Sequence, residues 1–178
     1  CPSGWKTSMP VLYLLRHGNA GFGGPGQDDH DRALNQAGER AALLVGQYLA
    51  KSAVRPDLVL CSTAQRTRRT WELVASCLPA PPEARFERAL YLCSAPILQQ
   101  QIRALPNWVE TAMIVAHNPG LHEISLFYSG TGDGDLINRL QLDFPPAGLA
   151  ALQFEQPWAE IDRRAGCLQT YVIPRDLG

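Results

Sequence analysis

A histidine between an arginine and a glycine follows a short apolar segment near the start of the sequence. Residues 11–15 read VLYLL, and Arg16, His17 and Gly18 come directly after them. A neutral imidazole can attack phosphorus, and a guanidinium can bind two phosphoryl oxygens at once. The glycine is interpreted as letting the chain turn tightly and letting an anion approach the backbone. These three residues predict phosphate chemistry at the end of a strand.

Two further apolar segments end in residues of the same kind. Residues 58–61 lead into Ser62 and, one helical turn later, into Arg66, whereas residues 111–116 lead into His117. In open α/β sheets, ligands bind at the carboxyl ends of the strands. If the three strands are parallel neighbours, two arginines and two histidines meet in one crevice. The spacing therefore predicts a pocket for a phosphoryl group.

The elements that must position these residues alternate along the chain. Apolar residues recur at helical spacing over residues 34–49, and further helices are predicted from Ser62 or Thr63 toward residue 77, over residues 95–105 and over residues 121–128. Further strands are predicted near residue 86 and over residues 148–154 and 167–173. The predicted N-caps of the first three helices are Asn35, then Ser62 or Thr63, and then Ser94. Residues 130–135 are predicted to form a turn. This alternation is typical of an α/β domain with a largely parallel sheet.

The composition excludes several classes of protein. The 178 residues are 46% apolar and 19% charged, which is typical of one soluble globular domain. A net charge of −1 provides no basic field for nucleic acid or an acidic membrane, and the apolar runs are too short to span a bilayer. Five scattered cysteines without a C-x-x-C pair argue against a disulfide framework or a structural zinc site and fit a reducing compartment. We expect a cytoplasmic domain over residues 9–178, preceded by an extension or expression artefact over residues 1–8.

Three ordered motifs resemble those of a known family. LLRHGNA at residues 14–20, STAQRT at residues 62–67 and VAHNPG at residues 115–120 are similar to motifs of the histidine phosphatase superfamily, which includes the phosphoglycerate mutases. The resemblance is to the SixA-type phosphohistidine phosphatase branch, and it extends over residues 9–177. It implies a three-layer α/β sandwich in which helices flank a mostly parallel central sheet.

The resemblance also implies a mechanism. His17 matches the nucleophile that accepts the phosphoryl group, and Arg16 and Arg66 match the arginines that hold its oxygens. His117 matches the second histidine, which contacts the same oxygens. The family uses no metal or other cofactor, and we expect none here. This reaction is a hydrolysis through a phosphohistidine intermediate.

Two further residues are expected to bind the substrate. Ser62 begins the second motif, and Asn19 lies near the end of the first. Family members often carry an acidic residue or glutamine at the position of Asn19. Asparagine retains hydrogen-bonding capacity but cannot act as an acid or base, so a catalytic role at this position is in doubt.

The sequence offers several candidates for the general acid. In the mutase branch a glutamate protonates the leaving oxygen, and Glu87 in the stretch ERALY matches it. The alternatives are Asp28, Asp29 or Asp31 in the loop after the first motif, or no acid at all. A phosphohistidine substrate tolerates that absence, because its P–N bond breaks more easily than the bond to an alkoxide.

The expected partner is a phosphorylated protein, such as a histidine-phosphotransfer domain, and the chain is expected to be monomeric. The alternatives are a small phosphate ester on the same scaffold, or a non-catalytic module that binds phosphate or a protein. The GFGGPG segment at residues 21–26 matches a dinucleotide fingerprint only in spacing, because no helix begins at its last glycine, and we interpret it as a loop beside the site. His30, His122, Arg68 and Arg69 are expected at the surface.

Overall fold

One mixed sheet forms the centre of the structure, which is a computed structural model that describes residues 9–178. The predicted extension, residues 1–8, lies outside the described residues. The strands are β1 (Val11–Arg16), β2 (Leu58–Ser62), β3 (Ala84–Glu87), β4 (Thr111–Ala116), β5 (Ser129–Gly132), β6 (Leu149–Phe154) and β7 (Gly166–Val172). Their order across the sheet is β3-β2-β4-β1-β6-β7-β5.

The strand directions place several strand ends at one edge. β1 pairs in parallel with β4, and β2 pairs in parallel with both β4 and β3. β6 runs antiparallel to β1 and to β7, whereas β5 is parallel to β7. Only β6 therefore opposes the other six strands, and the prediction of a mostly parallel sheet is confirmed. The carboxyl ends of β1, β2, β3 and β4 lie together at one edge of the sheet.

Helices cover both faces of the sheet and complete the predicted three layers. They are α1 (Gln36–Lys51), α2 (Gln65–Cys77), α3 (Ala95–Arg103), α4 (Gly120–Tyr128) and α5 (Gly134–Leu142). Successive side chains of a strand point to opposite faces, so Leu58 and Leu60 pack with residues of α3, α4 and α5. Val59 and Cys61 pack in a second buried cluster with α1 and α2.

The helix starts match the predictions only in part. Asn35 caps α1, because its side chain accepts a hydrogen bond from the Gly38 N–H at 2.8 Å. The cap predicted at Ser62 or Thr63 is wrong. Ala64 is the residue before α2, without a side-chain cap, since Ser62 still belongs to β2. Ser94 precedes α3 as predicted, but its side chain makes no capping bond.

The turn predicted over residues 130–135 is wrong. Residues there end strand β5 and begin helix α5. Asp133 caps this helix by accepting from the backbone N–H of Asp135 at 2.8 Å. The helical spacing of Leu136, Ile137 and Leu140 indicates this helix in the sequence, because it turns these three residues toward the hydrophobic core.

Within residues 9–178, no helix combines the length and the apolar character needed to cross a bilayer. The cytoplasmic location and the monomeric state stay predictions.

Candidate active site

Two histidines meet where β1 and β4 end. His17 follows β1 and His117 follows β4, and these two strands are hydrogen-bonded neighbours. The centroids of the two imidazole rings lie 5.1 Å apart. Two backbone hydrogen bonds hold His17 in place. The His17 N–H donates to Ala116 O at 3.3 Å, and the His17 carbonyl oxygen accepts from the Ala147 N–H at 3.0 Å. The sheet therefore brings together residues that are 100 positions apart in the sequence.

His17 is held as a neutral imidazole with one nitrogen free. Its Nδ1 lies 2.7 Å from the carbonyl oxygen of Gly18, which can only accept, so Nδ1 carries the hydrogen and Nε2 keeps its lone pair. Burial, together with the charges of Arg66, Arg16 and Arg32, lowers the pKa of His17 to about 4. At neutral pH the ring therefore presents an unprotonated Nε2 as a nucleophile.

His117 is buried beside it and bonds to Ser62. Its Nε2 lies 2.7 Å from Ser62 Oγ, which also lies 3.4 Å from the backbone N–H of Ala64. Within the described residues, Nε2 is the one acceptor that this buried hydroxyl reaches, so the hydroxyl donates to Nε2 and the hydrogen of His117 is on Nδ1. Burial, followed by the neighbouring His17 and Arg66, lowers the pKa of His117 to about 3. His117 is thus a neutral hydrogen-bond donor at physiological pH.

Arg16 ends β1 and leaves a buried donor unused. Its Nη1 donates to Phe144 O at 2.9 Å, and the Asn118 side chain donates to the same oxygen at 2.9 Å. Among the described residues, Arg16 Nε and His117 Nδ1 are buried polar atoms without a hydrogen-bond partner. Leaving a buried donor unpaired costs free energy. A ligand with several acceptor oxygens, such as a phosphoryl group, would satisfy both.

Arg66 is the most buried arginine of the site, with 4% of its side chain exposed. It is on the first turn of α2, and the prediction that Arg68 and Arg69 face solvent on the same helix is confirmed. Its Nη1 donates to the carbonyl oxygen of Asp29 at 2.6 Å, and its Nη2 to Asp29 Oδ2 at 3.0 Å. Its charge contributes to the lowered pKa of both histidines.

Asp29 completes this side of the site, in a short 3-10 turn at Asp29–Asp31. Oδ2 also accepts from the Tyr91 hydroxyl at 2.6 Å, and Oδ1 accepts from Arg32 Nη1 at 2.8 Å. These hydrogen bonds, from Tyr91 first and then from Arg32 and Arg66, hold the pKa of Asp29 far below its ordinary value. Asp29 is therefore a carboxylate in the free protein.

Sequence reasoning did not identify Arg32 and Tyr91 as site residues. The Tyr91 ring lies edge-on to the His117 ring, with the centroids 5.5 Å apart, and Arg66 lies 5.9 Å from the Tyr91 centroid. The only signal for Arg32 was its spacing of three residues from Asp29, which suits an ion pair across one turn.

His30 belongs to the wall of the site as well. It is half-buried, its Nε2 lies 2.9 Å from Thr63 Oγ1, and its ring lies edge-on to that of Tyr91 with the centroids 5.0 Å apart. His30 is thus only partly exposed at the predicted surface position. His122 is partly exposed as well, and its ring donates to Leu140 O at 2.6 Å.

Gly18 has a different role from the one predicted. A Cβ at this residue would lie 2.6 Å from the carbonyl oxygen of Gly38, and a Cβ at Gly38 would lie 2.1 Å from Asn19 O. The Gly18 N–H is also used, because it donates to Thr70 Oγ1 at 3.0 Å. Gly18 therefore lets helix α1 pack directly against the loop that carries the nucleophile.

Among residues 9–178, the side chains of Asn19 and Glu87 form no hydrogen bond with either imidazole ring. Asn19 is exposed and borders a separate cavity of about 450 Å³ with Pro145 and Pro146. Glu87 ends β3 and pairs with Ser62 through the backbone. Within residues 9–178, no hydrogen bond or ion pair of the Glu87 carboxylate is formed.

The two other aspartates of the loop bond locally. Asp28 accepts from the His30 N–H at 3.0 Å, and Asp31 lies 3.3 Å from His30 Nδ1 with 67% of its side chain exposed. Among the described residues, no group of three or more His, Cys, Asp and Glu side chains is placed to hold a metal ion.

Comparison with known proteins matches the chain to a family. Residues 12–88 match the sequence model of the histidine phosphatase superfamily (branch 1). An uncharacterised protein of Mycobacterium leprae is 33% identical over 148 residues, which are 83% of this chain and 89% of the relative. An uncharacterised protein of Mycobacterium tuberculosis is 32% identical over 164 residues, or 90% of this chain and all of the relative.

Solved structures give the same result. A protein of Agrobacterium tumefaciens assigned as the phosphohistidine phosphatase SixA is 30% identical, with a TM-score of 0.79 and coverage of 93% of this chain and 99% of that one. Its counterpart from Nakamurella multipartitia is 28% identical, with a TM-score of 0.78 and coverage of 98% and 99%. The sheet, its strand-end motifs and these similarities agree: the chain belongs to the histidine phosphatase superfamily, and it is a phosphatase with the phosphoglycerate mutase-like α/β fold.

Proposed function

We propose that the chain hydrolyses phosphohistidine in a protein through a covalent phosphoryl group on His17. The observation that carries this proposal is that, among residues 9–178, His17 Nε2 is free and two buried donors of the site, Arg16 Nε and His117 Nδ1, have no partner. An oriented neutral imidazole is a nucleophile. Donors fixed in a buried pocket stabilise the charge that develops on a transferring phosphoryl group.

In the first step, the lone pair of His17 Nε2 attacks phosphorus. The bond between phosphorus and the substrate's ring nitrogen breaks, and its electron pair stays with that nitrogen. The substrate imidazole leaves as a neutral ring when its other nitrogen carries a proton. His17 Nδ1 keeps its own proton, which is donated to Gly18 O, so the phosphorylated ring is an imidazolium.

In the second step, water attacks the phosphorus of phospho-His17. The P–Nε2 bond breaks and its electron pair returns to Nε2, which restores the free imidazole. Water supplies the new oxygen of inorganic phosphate and releases a proton to solvent. Arg16, Arg66 and the Nδ1–H of His117 bind the phosphoryl oxygens in both steps.

The protonation states of the site favour a nitrogen leaving group. An alkoxide needs a proton as it departs. The pKa values of His17 and His117, about 4 and about 3, keep both rings as neutral imidazoles, which cannot act as general acids at neutral pH, and Asp29 is ionised. A phosphoimidazolium needs no donor. The similarity to two proteins assigned as SixA supports the same substrate, and Glu87 as a general acid stays a prediction.

A protein substrate also fits the surroundings of the site. An open cavity of about 450 Å³, lined in part by His30, Thr63 and Arg68, adjoins the pocket between the 3-10 turn and α2. Residues that flank a phosphorylated side chain can lie there. The partner we propose is a phosphorylated histidine-phosphotransfer domain or a similar protein.

The test compares a phosphorylated histidine-phosphotransfer domain with a panel of phosphate monoesters. We expect kcat/KM to be higher for the phosphoprotein by orders of magnitude. Rapid quenching should trap an acid-labile, base-stable phosphoenzyme in the wild-type protein and none in His17→Gln.

Two results would contradict the proposal in different ways. A strong preference for a small ester would retain the nucleophile but reject the substrate class. Full activity in His17→Gln would reject the covalent mechanism itself.

A further inference from the structure

The carboxylate of Asp29 is a fixed negative charge at the mouth of an anion-binding pocket. Three donors hold it: Arg66 from α2, Tyr91 after β3, and Arg32 after the 3-10 turn. Its side chain is still 43% exposed, so a ligand can reach it. A carboxylate has about four acceptor sites, and the three donors found among residues 9–178 leave one for a substrate.

Arg66 can serve Asp29 and a phosphoryl group together. A guanidinium carries five N–H donors, and Asp29 takes one from Nη1 and one from Nη2. The Nε–H and one hydrogen on each terminal nitrogen are left. When these bind phosphoryl oxygens, the Asp29 carboxylate lies one guanidinium group away from the phosphate.

This position suits the far nitrogen of a phosphorylated imidazole. The ring carries its second nitrogen across from the phosphorylated one, and in the reactive form that nitrogen bears a hydrogen. A carboxylate that accepts this N–H favours the protonated ring, as the aspartate of a Ser-His-Asp triad does for its histidine. The same carboxylate repels an oxygen leaving group that gains negative charge.

We propose that Asp29 is a specificity-determining residue that accepts a hydrogen bond from the second ring nitrogen of phosphohistidine. This inference rests on the proposed phosphohistidine hydrolysis. As the P–N bond breaks, its electron pair goes to the ring nitrogen and the imidazole departs neutral. The hydrogen on the second nitrogen stays on the ring, so Asp29 takes up no proton at any step.

The experiment uses two small substrates, phosphoimidazole and p-nitrophenyl phosphate, whose leaving phenolate needs no proton. In Asp29→Asn the side-chain oxygen still accepts from Arg66 or Tyr91, but the charge is lost. We expect kcat/KM for phosphoimidazole to fall about tenfold to a hundredfold, since hydrogen bonds to charged groups have that strength. For p-nitrophenyl phosphate we expect a much smaller change, because its leaving group has no ring N–H for Asp29 to accept.

The pH profile provides a second readout. The carboxylate raises the pKa of the bound substrate ring, so the alkaline limb of kcat for phosphoimidazole should lie at higher pH in the wild type than in Asp29→Asn. The control is Glu39→Gln, which removes another carboxylate that pairs with an arginine of α2, here Arg69 at 2.9 Å. In Glu39→Gln, the ratio of kcat/KM for phosphoimidazole to kcat/KM for p-nitrophenyl phosphate should equal the wild-type ratio.

The outcomes separate this inference from the function on which it rests. An equal loss on both substrates in Asp29→Asn would mean that Asp29 only orients Arg66, and would overturn the inference while leaving the hydrolase intact. A wild-type protein that cleaves p-nitrophenyl phosphate but not phosphoimidazole would instead reject the proposed function.

Discussion

At the scale of single residues, the chemistry depends on which nitrogen of each histidine carries a hydrogen. A carbonyl oxygen determines this for His17, and the Ser62 hydroxyl determines it for His117. Both rings are neutral because burial beside arginines disfavours a further positive charge. One ring is thereby a nucleophile and the other a donor, although they are the same amino acid.

Ser62 should act through His117 rather than on the substrate, because its buried hydroxyl is already bonded to His117 Nε2 and to the Ala64 N–H. In Ser62→Ala we expect kcat to fall about tenfold with little change in KM, as expected for a lost hydrogen bond that orients a donor. Nitrogen-15 NMR of the imidazoles should show the hydrogen of His117 on Nδ1 in the wild type and a mixture of tautomers in the variant. A large rise in KM with kcat unchanged would instead indicate direct binding by Ser62.

The same two histidines should make stability depend on pH. Their pKa values, about 4 and about 3, are below the ordinary 6.5 of an unfolded chain. At a pH between the folded-state and unfolded-state pKa values, the unfolded chain binds more protons than the folded protein. The stability that comes from keeping both histidines neutral is therefore complete above pH 6.5 and is lost as the pH falls toward 4. We expect the unfolding midpoint to drop over this range, and to drop less in His117→Gln. If the unfolding midpoint fell equally with pH in the wild type and in His117→Gln, the lowered pKa of His117 would be contradicted.

At the scale of elements, helix α1 supports the nucleophile through backbone contact. Gly18 in the loop and Gly38 in the first turn of α1 leave no space for a Cβ between the two segments. Asn35 secures the start of the same helix by its capping bond and by donating its N–H to Asn19 O at 3.0 Å. The position of His17 therefore depends on how closely α1 approaches.

We expect Gly38→Ala to lower the free energy of unfolding by about 1–3 kcal/mol, because its Cβ would lie 2.1 Å from a backbone oxygen. Activity should fall with it, since the helix must move away from the loop. Gly134→Ala at the start of α5 is the matched control, because no atom of the part of the chain that the structure describes lies within 4 Å of a Cβ there. This control should be neutral or slightly stabilising in denaturant titrations. Equal stability of the two variants would be evidence against close packing.

At the scale of the whole molecule, the sheet order makes one site from distant segments. β1 lies between β4 and β6, and β2 lies on the far side of β4. Three loops at one edge then deliver the arginines and histidines from three separate motifs. A phosphate analogue bound there should stabilise the entire fold, because it binds only the folded state.

Tungstate should therefore raise the melting temperature of the wild-type protein, by an amount that grows with its concentration. Arg66→Ala should abolish most of this shift, since Arg66 is a buried cation of the pocket. Arg68→Ala removes an exposed arginine from the same helix and should keep the shift. A shift that survives in Arg66→Ala but disappears in Arg68→Ala would place the anion in the adjoining cavity instead.

Much of this protein is determined by the sequence alone. The apolar strands are short, are buried on both faces and end in polar residues, so β1, β2 and β4 and the residues that follow them are predictable from local pattern. The spacing of Arg66 from Ser62 also identifies the buried arginine among three on α2. Helix α5 was predictable in the same way, from its cap and its apolar spacing, and was missed.

Only the tertiary structure decided what surrounds Arg66. Asp29 and Tyr91 are 62 positions apart, and Arg66 is on a different element from both, so no local pattern relates them. The role of Gly18 also depended on a distant partner, the carbonyl of Gly38. The physical reason is that hydrogen bonds and close packing act at a few ångströms in space. The apolar residues of a strand show by themselves that the strand is buried. The environment of a side chain depends instead on which distant segments the fold places beside it.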